Sequence, residues 1–590
     1  MTHKIFTLVL IILISLFKTS AQDTIIPLQL EVTPTIRCIG LHWTVKGDLN
    51  GNATGSVEFR KQGTTQWHKA IDMFRWIPRV VTSKSIGGVT AIDEFNDVAY
   101  NVYKMNYLAS SIFHLSPGTT YEIRVAIKDP DGGGTSRVVT STTRVIPEIH
   151  LKRGNKIAIK DDNALLDAVS CASPGDILVL HAGTYNGFSI SRDGNASNPI
   201  CITTEGSGDV IFTSNINIEG DYIYIKGINM DGCGFRPKGC KNLAIMNCNI
   251  SNVFTAISGP SDSAYIADNT LSGKYLSTGG NEGTGIEVSG TGNVYCYNSI
   301  TQFSDAMSPG CVGEDYPGGN NFDIYGNDVI RCGTDAVEFD VAAPTNCRVW
   351  GNRFSFTMAN EISFQYFYGG PAYVIKNCMF NIAENTIKDR QLSAGLVLIN
   401  NTMVTHSAAW NKGTDFIQHI FARNNLFYDL SGGTVVFYRC EDFLRDPFTI
   451  DLDYNAYNGR IQGENWDSDK WSSEEAAILV DHSPKTLAEF KNMFGMEKHG
   501  VLVANNDCFD APFPKNLPFG DIWNTNFSAP HPDLQLKSSS PLIDAGIAIP
   551  NIIGGYNGVA PDIGALEYGT KVQWGPRASD WVYPFSEGGI

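Results

Sequence analysis

Three stretches of this chain carry charged and polar residues at matching intervals. Asp335-Ala-Val-Glu338-Phe-Asp340 is followed 25 residues later by Asn360-Glu361-Ile-Ser-Phe-Gln365, and after another 25 by Asn385-Thr-Ile-Lys388-Asp-Arg390. In an extended strand alternate side chains point to opposite faces. Val337, Phe339, Ile362, Phe364 and Ile387 then share one face. Glu338, Asp340, Glu361, Ser363, Gln365, Lys388 and Arg390 share the other. Stacking the strands gives two outward columns, Glu338–Ser363–Lys388 and Asp340–Gln365–Arg390. Neighbours would lie about 4.8 Å apart between strands and about 6.7 Å apart along one. Glu287, in Gly285-Ile-Glu-Val288, is expected to point outward one coil earlier, and Asp305 sits beside the turn before Ala306-Met307.

Two chemistries fit these residues. Glycoside hydrolysis needs one carboxylic acid to protonate the leaving oxygen and a second carboxylate as base or nucleophile; about 5–5.5 Å between them implies retention and about 6.5–9.5 Å inversion. Glu338 with Asp340 falls at the lower edge of the inverting range, and Glu338 with Glu361 or Glu287 serves as well. Crowding raises one of the two pKa values, as the acid requires. Elimination instead needs a base for the proton α to a uronate carboxylate and a cation to neutralise that carboxylate. Lys388 or Arg390 would be the base, with Ca²⁺ held by Glu338 and Asp340. Hydrolysis is favoured narrowly because carboxylates outnumber cationic residues at the centre, and it requires no cofactor. For substrate contacts the sequence offers Glu287, Asp305, Gln365 and His406, with Trp350, Tyr366, Phe367 and Tyr368 as aromatic walls against sugar rings. The loop 308–320, with Glu314, Asp315 and Tyr316, is long enough to wall a cleft.

These columns presuppose a repeating scaffold. Asn247, Asn269, Asn298, Asn327, Asn352, Asn377, Asn401 and Asn425 recur at intervals of 22 to 29 residues among short β-branched and aromatic runs. A period of that length implies a solenoid. The expected fold is all-β: a right-handed parallel β-helix over residues 148–570, its asparagines stacked as an internal hydrogen-bonded ladder. An amphipathic run from Asn163 to Val169 would plug the open first coil, since bare strand edges need cover. Residues 460–530 break the rhythm, with a helix over 486–493, and are expected to form a lateral excursion or lid.

Residues 1–22 have a basic start, an apolar core from Ile5 to Phe17 and small residues at 19–21, the pattern of a signal peptide. The apolar run, about 13 residues, is short for a membrane span. Charged residues make up 18% and the net charge is −17, which argues against nucleic acid as partner. The expected partner is a polysaccharide or oligosaccharide bound by a monomer. The 13 cysteines include Cys248 and Cys378, each directly after a ladder asparagine. They read as buried fillers rather than a disulfide framework, and no spacing suits zinc.

Residues 23–147 alternate differently. Leu41–Val45, Ser56–Arg60 and Tyr121–Val125 read as strands. Leu115-Ser-Pro-Gly-Thr-Thr-Tyr121, with Trp43 on an early strand, resembles a fibronectin type III domain, which implies a β-sandwich accessory domain with a long insertion over 62–112. Pro174-Gly-Asp-Ile-Leu-Val-Leu followed by Gly183-Thr-Tyr185 resembles the start of many bacterial parallel β-helix proteins. Ser540-Pro-Leu-Ile-Asp-Ala-Gly and Pro561-Asp-Ile-Gly-Ala-Leu-Glu-Tyr568 resemble the final segment of many secreted Bacteroidetes β-helix proteins, leaving 571–590 as a tail. That resemblance implies a secreted or periplasmic protein of a Gram-negative bacterium. Glu361–Asn377 resembles a segment of secreted β-helix proteins grouped with polysaccharide-degrading enzymes. The acidic residues with a Lys/Arg pair resemble the layout of chondroitinase B and the related alginate lyases, which implies the calcium-assisted reaction. The NTD, DD, GHG and RIK motif series of polygalacturonases is missing. A third reading is a non-catalytic protein that binds glycan along the solenoid, since outward charges also serve simply as a solvated face and Lys388 or Arg390 could pair with Asp389 or Glu384.

Overall fold

The computed structural model describes residues 23–77, 105–206, 208–274, 283–309, 320–339, 344–365, 367, 369–390, 395–412, 419–430, 434–437, 450–458, 460–463, 486–504, 506–510, 513 and 529–589. The chain divides into two compact units, one built on the residues up to Val145 with 549–555 and 585–590, the other on 146–548 with 556–584. The expected signal peptide lies outside the described residues.

The first unit is a β-sandwich of two four-stranded sheets. Ile39–Lys46 lies between Ile26–Pro34 and Tyr107–Ile112, and Phe74–Trp76 forms the far edge. The second sheet joins His68–Lys69, Thr54–Lys61, Thr120–Lys128 and Thr135–Thr142. Strand alternation sends Leu41, Trp43, Val57, Ile123 and Val125 into one core. The stretch expected as an insertion therefore supplies strands to both sheets at 68–69, 74–76 and 107–112, because its alternation continues the sandwich pattern; residues 78–104 lie outside the described residues.

The second unit is a parallel β-solenoid. Its three faces are sheets of 13, 13 and 12 strands among the described residues, every pairing parallel and each strand stacked on its counterpart one coil away. The expected helix runs Asp162–Cys171, capped by Asp161, whose carboxylate accepts from the Ala164 N–H. It buries Leu165, Ala168 and Val169 against the first coils.

The asparagine ladder runs unbroken from Asn269 through Asn298, Asn327, Asn352, Asn377, Asn401 and Asn425 to Asn455. Each side-chain amide donates to the next Oδ1 at 2.8–3.1 Å. The residue before each rung has positive φ: Asp268, Tyr297, Gly326, Gly351, Lys376, Asn400, Asn424 and Tyr454. That left-handed residue turns the chain so that the next side chain enters the interior. Asn247 is not a rung. It is exposed with φ 50°, in the left-handed position itself, and buried Cys248 stands where the amide would be, its N–H donating to Asn269 Oδ1. Asparagine is one of the few residues that favours the left-handed region, so the type was right for the turn and one residue off for the ladder. Cys248 and Cys378 are buried and free, as expected of fillers.

At the far end the ladder terminates on a carboxylate. Glu497 Oε1 accepts from Asn455 Nδ2 at 2.7 Å and from the Tyr457 hydroxyl at 2.6 Å. It follows the helix Leu487–Phe494, whose Leu487 and Phe490 join the solenoid core. The described part of the expected lid thus closes the end of the solenoid instead of covering a cleft, because Leu487, Phe490 and Glu497 complete contacts that the last coil lacks.

The outer face of the second sheet is covered by C-terminal residues that include Val503, Cys508, Leu536, Leu566 and Trp574. Phe380, Val404, Leu426 and Tyr428 pack against Phe509, Leu534, Leu542 and Ile563 in a second core. The expected tail is docked as well: Arg577 pairs with Asp268, and Trp581 meets Tyr297 edge-on at 4.7 Å.

Candidate functional site

The third sheet is where the polar columns stand. Its relevant strands are Thr284–Glu287, Asp305–Met307, Val337–Glu338, Ile362–Gln365, Ile387–Arg390 and Trp410–Lys412. Beneath them Val337, Phe339, Ile362, Phe364, Ile387 and Trp410 are buried, with the Phe339 and Phe364 rings stacked at 5.0 Å. Each such side chain contributes roughly 1.5–3 kcal/mol of burial, so the outward residues stand on a rigid floor.

The column Glu338–Ser363–Lys388 is present in the expected register. Gln365 pairs with Arg390 on the same two strands. The Arg390 side chain, Asp340, Tyr366, Tyr368 and the loop 310–319 lie outside the described residues. Glu287 is two coils before Glu338, not one: the strand Asp305–Met307 intervenes and sets Ser308 between them. The long 275–282 connection hid that extra coil. Glu287 accepts a hydrogen bond from the Ser258 hydroxyl at 3.0 Å. Along this column charged residues alternate with serines.

A second column stands at the turn into each strand. Asp305 Oδ1 accepts from the Asp335 N–H at 3.1 Å and from the Thr334 hydroxyl. Asp335 Oδ1 accepts from Asn360 N at 2.7 Å and Asn360 Nδ2 at 2.9 Å. Asn385 donates to Asn360 Oδ1 at 3.0 Å and Asn411 to Asn385 at 3.3 Å. It is a second amide ladder, in which the first two rungs are aspartates. Sequence register aligned Asp335 with Asn360 and Asn385 but assigned it no role. The signal was present, an acid where the neighbouring coils have amides.

Asp305, Asp335 and Glu338 converge, with one carboxylate oxygen of each within 4.8 Å of the others. Asp305 and Asp335 are buried and Glu338 is half-buried. Burial and the Asp305 charge push the Asp335 pKa up to about 7, opposed by its Asn360 hydrogen bonds and by Lys388. Three carboxylates this close repel unless a proton or a cation sits among them. All donors are oxygen, which suits a hard cation such as Ca²⁺.

Glu361 does not belong to this face. It is fully buried, level with Ala336 and Thr386, and burial raises its pKa well above the carboxylate range. The Thr357 N–H and hydroxyl give it weak polar support, and neither carboxylate oxygen reaches full hydrogen-bond geometry. Strand parity failed there because Glu361 precedes the strand, in the turn. Trp350 is also buried, on the first sheet, stacked on Tyr325 at 4.3 Å. Phe367 is in the core against Phe339 and Phe364. Neither is a wall of the cleft. His406 is half-buried in the turn before Trp410–Lys412.

One constellation went unnoticed in the sequence because its members are 27 and 176 residues apart. His531 places Nδ1 at 2.9 Å from Ser355 Oγ and Nε2 at 3.0 Å from Asp328 Oδ1. The spacing resembles a nucleophilic triad. However, Ser355 is buried and Asp328 also takes two hydrogen bonds from Arg353, at 2.8 Å each. The group fastens the C-terminal segment to the second sheet.

Residues 159–259 match the sequence model of the chondroitinase B family. The matched stretch spans the capping helix and the first coils and stops short of Asp305. It is similar to a family of polysaccharide lyases built on a β-helix, and the similarity bears on fold and enzyme class rather than on individual site residues. No curated protein matches the chain. No helix among the described residues is long and apolar enough to cross a membrane.

Proposed function

We propose that the protein is a polysaccharide lyase that cleaves a uronate-containing glycan, such as a chondroitin-type polymer, by β-elimination. The observation that carries the reading is the convergence of Asp305, Asp335 and Glu338, with Lys388 two coils along the same face. The family match over residues 159–259 supports the class. Hydrolysis, the reading favoured by counting carboxylates, has lost Glu361 to the interior and draws no support from the match.

Asp305, Asp335 and Glu338 would hold Ca²⁺. A bound calcium ion would neutralise the uronate carboxylate and so stabilise the charge that builds at its α-carbon. Lys388 stands about 9.6 Å from Glu338 along the column, which leaves room for one pyranose ring between them. Its Nζ removes the proton α to the carboxylate. The electron pair forms the double bond to the neighbouring ring carbon as the bond to the glycosidic oxygen breaks, and that oxygen leaves with a proton from water or a nearby acid. Ser363, buried between Glu338 and Lys388, sets the two-coil spacing of their side chains.

The test is incubation of the purified protein with chondroitin sulfate and alginate, following ultraviolet absorbance of unsaturated uronate together with new reducing ends. Absorbance that disappears with a chelator and returns with Ca²⁺ is expected. New reducing ends without absorbance would show hydrolysis and sink the proposal.

A further inference from the structure

The column of the third sheet that carries Glu287, Glu338 and Lys388 continues toward the N-terminal coils. Arg236, on the strand Phe235–Pro237, pairs with Asn217 on one side and stands level with Ser258 on the other, and Ser258 pairs with Glu287. Arg236 is thus two coils before Glu287 and four before Glu338, about 19 Å along the axis. From Arg236 to Lys388 a long charged side chain occupies every second coil, with Ser258, Ser308 and Ser363 between them.

The Arg236 guanidinium is fixed by its own coil and the next. Nη1 donates to the Phe235 carbonyl at 2.8 Å and to the Ala256 carbonyl at 3.2 Å, and Nη2 donates to the Thr255 carbonyl at 2.9 Å. Gly234 makes room for it: a Cβ there would strike the Ala256 carbonyl and lie 2.8 Å from Nη1. These bonds use both N–H groups of Nη1 and one of Nη2, out of the five that an arginine offers. The Nε–H and the second Nη2–H remain, the parallel pair along one edge of the group. Among the described residues no acceptor meets that edge. Elsewhere in the chain the same edge grips an acid. Arg353 gives Nε and Nη2 to the two oxygens of Asp328 at 2.8 Å each, and Arg577 does the same with Asp268. Arg236 is half-buried, its hydrogen-bond partners are neutral carbonyls, and its bidentate edge is unfilled. An oxyanion is the ligand that matches such an edge.

We infer that Arg236 forms a distal subsite that takes a carboxylate or sulfate of the bound glycan on its Nε/Nη2 edge. The inference rests on the acidic-glycan reading above and adds how far the chain extends: about four sugar rings from the carboxylate cluster toward the N-terminal coils. Over Glu287, between the two positions, the glycan presents hydroxyls, because an acid there would meet a carboxylate.

The test is calorimetric binding of size-defined chondroitin sulfate tetra- and decasaccharides, with Ca²⁺, to full-chain Lys388→Ala, which should not turn them over. The decasaccharide can reach Arg236 from the cluster and should bind more tightly than the tetrasaccharide. Adding Arg236→Gln should weaken the decasaccharide about tenfold and leave the tetrasaccharide unchanged. Arg236→Lys, which keeps the charge without the bidentate edge, should weaken it as well. Desulfated chondroitin and alginate decasaccharides separate the two acidic groups: if Arg236 reads sulfate, only the sulfated chain loses affinity, and if it reads carboxylate all three do. Where the Arg236 variants melt early, hydrogen exchange with Arg236 intact decides: the decasaccharide, and not the tetrasaccharide, should slow the amides of residues 234–237 and 255–258. An unchanged length preference in a variant that melts like its parent overturns the subsite. So does the absence of that slowing, or no binding of any acidic oligosaccharide. Binding that depends on Arg236 without elimination by the wild type leaves the subsite standing and removes the lyase reading. Elimination with an unchanged length preference does the reverse.

Discussion

The carboxylate that ends the asparagine ladder should make the last coils of the solenoid sensitive to pH. Glu497 is buried, and burial, with a small push from Asp453, raises its pKa from 4.5 to about 7 against the Tyr457 and Asn455 hydrogen bonds. A carboxyl with a raised folded-state pKa favours folding when neutral. Its contribution is complete below about pH 4.5, declines as the pH rises to about 7, and is flat above that. The shift of about 2.5 units corresponds to roughly 3 kcal/mol. The last coils open locally before the whole chain does, so hydrogen exchange is the suitable assay. After correction for intrinsic rates, amides of Leu426–Asp429 and Ala456–Asn458 should lose up to about a hundredfold in protection between pH 5 and pH 8. Glu497→Gln keeps an acceptor for Asn455 and should remove this dependence. The pair of His499 with Asp453, 2.8 Å apart, is present in both proteins and cancels in the comparison. Protection that falls equally in wild type and variant would refute the reasoning.

Other expectations follow from the site and the scaffold. Glu338→Gln and Asp305→Asn should abolish elimination and weaken calcium binding by calorimetry, with unchanged circular dichroism; full activity in both would remove the cluster from the reaction. Lys388→Ala should lower kcat by at least about a hundredfold while calcium binding persists, and a change in KM alone would make it a binding residue. Asn352→Leu removes the acceptor shared by Asn327 N and Nδ2 and the side-chain donor to Asn377 Oδ1, which keeps only the Asn352 backbone N–H, so denaturation should show a loss of about 2–4 kcal/mol. His531→Ala should loosen the C-terminal segment. In the wild type, burial tends to raise the Asp328 pKa, but hydrogen bonds from His531 and Arg353 hold it near 2. That stabilisation is present above the ordinary carboxylate range and lost as pH falls toward 2. The variant should therefore be cleaved by protease within 529–540 more readily than wild type at neutral pH, and equal cleavage would count against the latch.

What the sequence made legible follows from how strongly each feature repeats. The ladder recurs on every coil, so a one-residue error at Asn247 did not disturb the register of Glu338, Ser363 and Lys388 a few coils later. Parity holds inside a strand and has no force in the turn before it. Glu361, Asp335 and Asp305 all occupy that turn or its edge. The same rule that exposed Lys388 correctly exposed Glu361 wrongly and passed over Asp335. Once the turn positions are compared across coils, the distinction has a physical cause. Asn360 and Asn385 are amides that satisfy one another, whereas Asp335 and Asp305 stand in the same column with acceptors only, so their excess negative charge requires a proton or a cation. Trp350 was unreadable for another reason. Its sheet is as regular as the third, and what buries it is not its own coil but stacking on Tyr325, in a surface where neighbouring Tyr297 is met by Trp581, more than two hundred residues further on. Described residues of the C-terminal segment pack on the second sheet and the first sheet carries buried aromatics, and it is at the turn column of the third sheet that Asp305 and Asp335 meet Glu338.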